Sequence, residues 1–243
     1  MRALVVADVH ANLSAFEAVI AAAAAGGAID AVWSLGDIVG YGPEPAACIE
    51  LLRRYPHVAI AGNHDLAAIG RLSTAAFNPP GRAAIEWTAG VLGPVERQYL
   101  AALPSVAREG EFTLVHGSLI DPVWEYLVSP AAATAHLERQ ETACGLVGHS
   151  HLPLAFFETA TGNRGGRQDE DAVVSLAGAR FVANVGGLGQ PRDGDPRAAY
   201  GIVDTEAGEL RFHRVAYDIG RTQAAMGAVG LPRYLIERLD FGR

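Results

Sequence analysis

A chain of 243 residues, half of them apolar and 19% charged, can build one substantial core, reads as a single domain over 1–243, and lacks the polarity of a disordered chain. With 27 acidic against 19 basic side chains the formal charge is −8, which excludes broad binding along a nucleic-acid backbone and leaves a small anionic substrate open. Cys48 and Cys144 form no C-x-x-C pair and read as buried thiols of a reducing compartment; with no signal-peptide pattern and no bilayer-length apolar run, the expected setting is cytoplasmic and off the membrane, the oligomeric state being left open.

From the N-terminus, residues 2–7 read as a strand and 14–25 as a helix, with Ser14 and Glu17 set as a capping box and Gly26 and Gly27 as the stop. A strand at 31–35, a helix at about 44–54 behind Pro43 and Pro45, and a strand at 57–61 continue the alternation. Such alternation predicts a largely parallel sheet with crossover helices. Helical stretches follow around 82–89 and 94–103, and then the character turns to β, with strands at 112–115, 145–147 and 154–158 and one helix at about 130–140 between the first two. The run 161–172, "TGNRGGRQDEDA", carries glycine and charge without an apolar period and predicts a flexible surface loop. Residues 200–204 and 209–215 flank "TEAG" as a hairpin, and the tail from Ile219 reads as helical, with no internal repeat along the chain.

Five of these strands end alike. The first runs into Asp8 and His10, "AVWSL" into Gly36 and Asp37, "HVAIA" into Gly62, Asn63, His64 and Asp65, "FTLV" into His116, and "CGLV" into Gly148, His149, Ser150 and His151. Residues two apart on a strand share a face, so Asp8 and His10 are expected to project together. Ligand sites of open α/β sheets lie beyond the carboxyl ends of the strands, where these five tips can meet. Five of the eight histidines sit at such tips, whereas His57, His136 and His213 do not and read as ordinary surface or half-buried residues. Alone, Asp8 and His10 read as a helix cap and a satisfied strand-end polar group; five tips together reverse that preference.

Imidazole, carboxylate and the Asn63 amide oxygen, without thiolate, suit Mn, Fe, Zn, Co or Ni better than Ca or a structural zinc. The set is too large for one ion. Two divalent ions sharing a bridging carboxylate use all of it, and pairs roughly 3.5–4 Å apart are a common device for in-line displacement at phosphorus. Leu152 and Pro153 after His151 exclude the H-x-H-x-D-H pattern of a metallo-β-lactamase site. Trp124 and Tyr126 in "DPVWEYL" read as packing residues before they read as a stack for a nucleobase.

The series D-V-H, G-D-I-V-G, G-N-H-D, H-G and G-H-S-H, from Asp8 to His151, resembles the calcineurin-like metallophosphoesterase family. "YGPEP" at 41–45 and "NVGGLGQPRDGDPRAAY" at 184–200 are similar to its compact prokaryotic phosphodiesterase branch. The resemblance implies an α/β fold of two facing mixed β-sheets flanked by helices, an α/β/β/α sandwich. It implies one ion on Asp8, His10, Asp37 and His151 and a second on Asp37, Asn63, His116 and His149, with Asp37 bridging and Mn or Fe favoured. His64 then stands beside the substrate, stabilising phosphate charge or protonating the leaving oxygen, with Asp65 as its orienting partner. Asn12 and Arg192 are candidate phosphate contacts.

The implied activity is hydrolysis of a small phosphomonoester or phosphodiester by a metal-bridging hydroxide, without a covalent enzyme intermediate. Two divalent ions less two carboxylates and one hydroxide leave the site at roughly plus one, so an acidic protein can still attract an acidic substrate. The alternatives are a non-catalytic scaffold of the same fold that binds a protein partner and, among enzymes, a protein phosphatase or a dinucleoside polyphosphate hydrolase. Ala11 stands where many relatives have Gly, and Val185 and Gly187 where they often read N-P-G-S; the second departure bears on substrate preference and not on metal binding.

Overall fold

Strand β1 (Arg2–Val6) divides its side chains between two cores, Ala3 and Val5 facing one and Leu4 and Val6 the other. That is the pleat of a strand covered on both faces, and it fixes the layers. The computed structural model describes residues 1–160 and 162–243; Thr161, the first residue of the segment expected to be a loop, lies outside the described residues. In chain order β1 is followed by α1 (Leu13–Ala25), β2 (Ala31–Ser34), α2 (Pro45–Arg53), β3 (His57–Ala59), α3 (Asn63–Ala68), α4 (Pro79–Val91), α5 (Pro94–Ala102), β4 (Val106–Glu109) and β5 (Phe112–Val115). The second half adds α6 (Pro130–Leu137), β6 (Cys144–Val147), β7 (Pro153–Thr159), β8 (Gly162–Arg167), β9 (Val173–Ser175), β10 (Phe181–Val185), β11 (Ala198–Asp204), β12 (Glu209–Val215), α7 (Ile219–Ala228) and α8 (Arg233–Glu237).

Two six-stranded mixed sheets result, ordered β3-β2-β1-β11-β12-β9 and β4-β5-β6-β10-β7-β8. In the first, β1, β2 and β3 run parallel and β11 returns antiparallel; in the second, β5, β6 and β10 are the parallel set. The sheets face each other across Val5, Trp33, Leu35, Leu114, Leu146 and Phe181. Outside them, Phe16 and Val19 of α1 and Ile49 and Leu52 of α2 cover Leu4, Val6 and Val32, while Ala133 and Leu137 of α6 cover Val115, Val147 and Val182. The layers are therefore α/β/β/α, and the carboxyl ends of both parallel sets open on one edge of the sandwich. Among the described residues no helix is long and apolar enough to cross a membrane.

Three local expectations are corrected. The cap of α1 is Asn12, whose side chain accepts from Ala15 N at 3.1 Å, and not Ser14, which lies inside the first turn and donates to Asp218 O. Gly162–Arg167 is not a loop but the edge strand β8, paired antiparallel with β7 from Leu154↔Arg167 to Thr159↔Gly162. Backbone bonds hold it, and an exposed glycine-rich edge buries too little for an apolar period to reveal it. Finally, β10 is a fully buried strand between β6 and β7 that the sequence reading did not contain.

Candidate metal centre

The turns beyond β1, β2, β3, β5 and β6 bring Asp8, His10, Asp37, Asn63, His116, His149 and His151 together, each no more than 4% exposed. Five of the seven, Asp8, His10, Asp37, His149 and His151, have left-handed backbones with φ between 49° and 64°. Each such non-glycine residue costs about 1 kcal/mol or more, and such strain concentrates at functional sites. Asp8 and His10 thus share a direction through a turn past the end of β1, not through the strand pleat that the sequence suggested. Asp8 N and His10 N donate to Gly36 O and Asp37 O at 3.1 and 2.9 Å, tying the first tip to the second. Two glycines make room. At Gly36 (φ +88°) a Cβ would stand 2.8 Å from both Gly62 N and His116 Nδ1, and at Gly62 it would fall on Asp37 Oδ1.

Four imidazoles are oriented by backbone carbonyls. His10, His116 and His151 donate from Nδ1 to Val39 O (3.2 Å), Leu35 O (2.8 Å) and Gln190 O (2.6 Å), and His149 donates from Nε2 to Trp124 O (3.2 Å). A carbonyl only accepts, so in the neutral ring the opposite nitrogen carries the lone pair. Those nitrogens converge: His10 Nε2 stands 3.2 Å from His151 Nε2, and His116 Nε2 lies 3.2 Å from His149 Nδ1 and 3.1 Å from Asn63 Oδ1. Asp37 Oδ2 lies 3.7 Å from His10 Nε2 and 3.4 Å from His116 Nε2, and Asp8 Oδ1 is 3.3 Å from His151 Nε2. Among the described residues, Asp8 Oδ2 is buried without a hydrogen-bond partner.

Acceptors facing one another at that spacing repel unless a proton or a cation lies between them. Donors about 2.0–2.2 Å from one ion are themselves roughly 3 Å or slightly more apart, which is the spacing seen. Two clusters meet this test, Asp8 with His10 and His151, and Asp37 with His116 and His149; a third grouping joins His10, Asp37 and His64. The residues therefore fit divalent cations.

The electrostatics point the same way. Burial pushes the basicity of His10 and His151 well below the usual range, that of His149 to about 3 and that of His64 to about 4, leaving them in the neutral form that binds metal. Burial, reinforced by Asp37, raises Asp8 to about 7. Burial pushes Asp37 upward too, yet the neighbouring His116 and His64 hold it well below the usual carboxylate value. His116 is the exception among the rings: burial lowers it, but the charge and hydrogen bond of Asp37 lift it to about 9. A proton on Nε2 and a cation in the same place answer the same concentration of negative charge.

The remaining candidates divide. His64 N donates to Asp37 Oδ1 at 2.8 Å, and its ring packs against Tyr41, His10 and Phe77 with centroids 4.3, 4.7 and 5.0 Å away. Its Nδ1 is buried and has no hydrogen-bond partner among the described residues. Asp65 does not orient it: Asp65 Oδ1 accepts from Val39 N at 3.1 Å and Oδ2 from Gly62 N at 3.0 Å, so this carboxylate pins the second and third tips to each other. Asn12 does not reach the cleft either. Its Nδ2 donates to Gly189 O, and its Oδ1 accepts from Ala15 N and Thr222 Oγ1, which leaves little for a phosphate. Arg192 does line the cleft, its guanidinium 5.9 Å over the Tyr41 ring, bonded to Gln190 Oε1 and with a buried Nε that has no partner among the described residues.

Three things were missed in the sequence. The loop after β10 is a sixth tip, where Leu188 N and Gly189 N donate to Ala7 O and Asp8 O while Gln190 O fixes His151. The apolar run "FVANV" ending in Gly186 and Gly187 carried the same signal as the other five. Trp124 and Tyr126 do more than pack, since both line the cavity and Tyr126, 49% exposed, stacks on His149 at 4.1 Å. His136 is wholly buried, not a surface or half-buried residue.

Imidazoles and carboxylates gathered at the shared edge of an α/β/β/α sandwich define a metallophosphoesterase-like protein. Residues 1–208 match the calcineurin-like phosphoesterase superfamily domain, and the chain belongs to that family. It is similar to a metallophosphoesterase of Sphaerobacter thermophilus of known crystal structure, with 43% identity, coverage of 100% of this chain and 99% of that one, and a TM-score of 0.91. It is 34% identical to an uncharacterized protein of Methanocaldococcus jannaschii over 98% of this chain and 97% of that protein. It is also 26% identical to the symmetrical bis(5'-nucleosyl)-tetraphosphatase of Neisseria meningitidis over 64% of this chain and 53% of that protein.

Proposed function

We propose that this protein hydrolyses a small phosphomonoester or phosphodiester with two divalent metal ions, Mn or Fe before Zn, Co or Ni. The observation that carries the reading is a pair of ligand clusters on either side of Asp37 Oδ2, which lies 3.7 Å from His10 Nε2 and 3.4 Å from His116 Nε2, with imidazole lone pairs turned on each other at 3.2 Å. Asp8, His10, Asp37 and His151 would hold one ion and Asp37, Asn63, His116 and His149 the other. Bound there, such ions neutralise phosphoryl charge and make hydroxide available near neutral pH.

The chain's own residues orient and exclude. Carbonyls of Val39, Leu35, Gln190 and Trp124 fix the rings, and His64, neutral at pH 7, can donate one hydrogen bond to a phosphoryl or leaving oxygen. Arg192, its Nε unpartnered, suits a non-bridging oxygen. A complete ligand set together with His64 argues against a non-catalytic scaffold, which would need neither. The name of the Neisseria relative keeps phosphoanhydrides within the substrate range. Because both sheets contribute to this one site, we read residues 1–243 as a single domain; the free thiols of Cys48 and Cys144 suit the cytoplasm.

The test is turnover of p-nitrophenyl phosphate and bis(p-nitrophenyl) phosphate by protein stripped with a chelator and reloaded with Mn, Fe, Zn, Co or Ni in turn. Release of p-nitrophenol restored by Mn or Fe is expected. Silence with every metal and both esters would favour the scaffold.

A further inference from the structure

Beside the candidate centre stands an aromatic shelf that neither the fold nor the ligand set requires. Tyr126, in the segment between β5 and α6, lies nearly parallel to the His149 ring, with centroids 4.1 Å apart and planes 19° apart, and is 49% exposed. One face of Tyr126 is therefore covered and the other is open. Trp124 packs against Phe77 at 5.0 Å, and Phe77 against His64 at 5.0 Å, so these rings join the shelf to the cavity wall. The shelf is also held firm, because the ring under Tyr126 donates to the backbone of Trp124.

The polar end of the cleft, at Asp37, Asn63, His149 and His151, suits a phosphoryl group, and Trp124 and Tyr126 line the same cleft. A group esterified to that phosphorus meets these rings there, where Tyr126 offers a flat, pinned, half-exposed π face. Flat aromatic faces favour other flat rings, and stacking accepts any base because every base has a π face.

Resting on the phosphoesterase reading, we infer that the substrate is a nucleoside phosphoester whose base stacks on the open face of Tyr126 beside Trp124. Adenosine 5'-monophosphate and ribose 5-phosphate isolate the base, since both lose phosphate from the same kind of primary alcohol; their methyl diesters form the second pair. The Mn-loaded protein is expected to show kcat/KM roughly 5- to 100-fold higher for the nucleotide of whichever pair it hydrolyses. Tyr126→Leu, which keeps apolar cover on His149, should bring that ratio close to one, and Tyr126→Phe should preserve it. Because the ratio is internal, a general loss of activity cannot imitate its collapse. Quenching of tryptophan emission by the nucleotide and not by the sugar phosphate, lost in Trp124→Phe, reads the contact without turnover. Equal kcat/KM within the pair, or a ratio that survives Tyr126→Leu, would overturn the inference. Were no ester hydrolysed, the phosphoesterase reading would fall, while base-dependent quenching would still decide for or against the shelf.

Discussion

The histidines at the strand ends and the histidine beneath α6 are equally buried but differently finished. His136 accepts from Leu119 N at 3.1 Å and donates to Gln140 Oε1 at 3.0 Å, so both of its ring nitrogens are satisfied by protein. At the rim, His10, His116, His149 and His151 each satisfy one nitrogen with a carbonyl and turn the other toward another acceptor. Burial and lowered basicity do not separate the two kinds, because burial takes both His136 and His64 to about 4. Unfinished hydrogen bonding at convergent atoms does separate them. A structural histidine closes its own circuit, and a ligand leaves a place for something else.

The contrast breaks hardest at Asp37. Losing a residue that only orients a ligand costs roughly 10–100-fold in affinity or activity. Asp37→Asn should exceed that in turnover and weaken both ions, read by bound metal per chain after gel filtration. His64→Ala should keep the metal content and cut kcat by about a hundredfold or more. Equal metal loss in the two variants would make His64 a ligand, as its grouping with His10 and Asp37 permits.

His136 supplies the sharper test on the structural side. Its folded value of about 4 lies below the unfolded 6.5, so its full contribution to stability is present above pH 6.5. That contribution is lost as pH falls toward 4, by up to about 3 kcal/mol, because the unfolded chain takes the proton first. His136→Asn keeps an acceptor for Leu119 N, and its urea-unfolding free energy should fall less between pH 7 and pH 4 than that of the parent, with metal content unchanged. An identical pH slope in the two proteins would remove His136 from the account.

The smallest effect is expected at Ala11, a non-glycine residue at φ +51°. Glycine relieves about 1–2 kcal/mol of left-handed cost and returns roughly 0.4–1 kcal/mol through the freer unfolded chain. Ala11→Gly should therefore raise stability by about 1 kcal/mol or less, seen as a small rise in the urea midpoint. A clear loss would mean that the turn is held by the Ala11 methyl rather than by the bond from Ala11 N to Ile38 O.

The first three strands, the first two helices and the convergence of seven ligand candidates could be read in the sequence, because each tip follows directly on an apolar run that announces a strand. What escaped depended on contacts distant in sequence or on broken local rules. The resemblance made Asp65 the orienting partner of His64, but both its oxygens accept from backbone N–H groups, of Val39 and Gly62. Asn12 looked free for a phosphate until Gly189 and Thr222, far along the chain, claimed its amide. Left-handed backbones at Asp8, His10, Asp37, His149 and His151 contradict local preference, and only the assembled tips hold them so. Tyr126 read as a packing residue because nothing local tells a packed ring from one left half-open beside a cleft.

The most direct test of the two-ion centre is anomalous diffraction at the Mn and Fe edges from crystals of the loaded protein. Two peaks roughly 3.5–4 Å apart are expected, one beside Asp8, His10 and His151 and the other beside Asn63, His116 and His149, with Asp37 touching both. A single peak, or two peaks of which Asp37 reaches only one, would contradict the account.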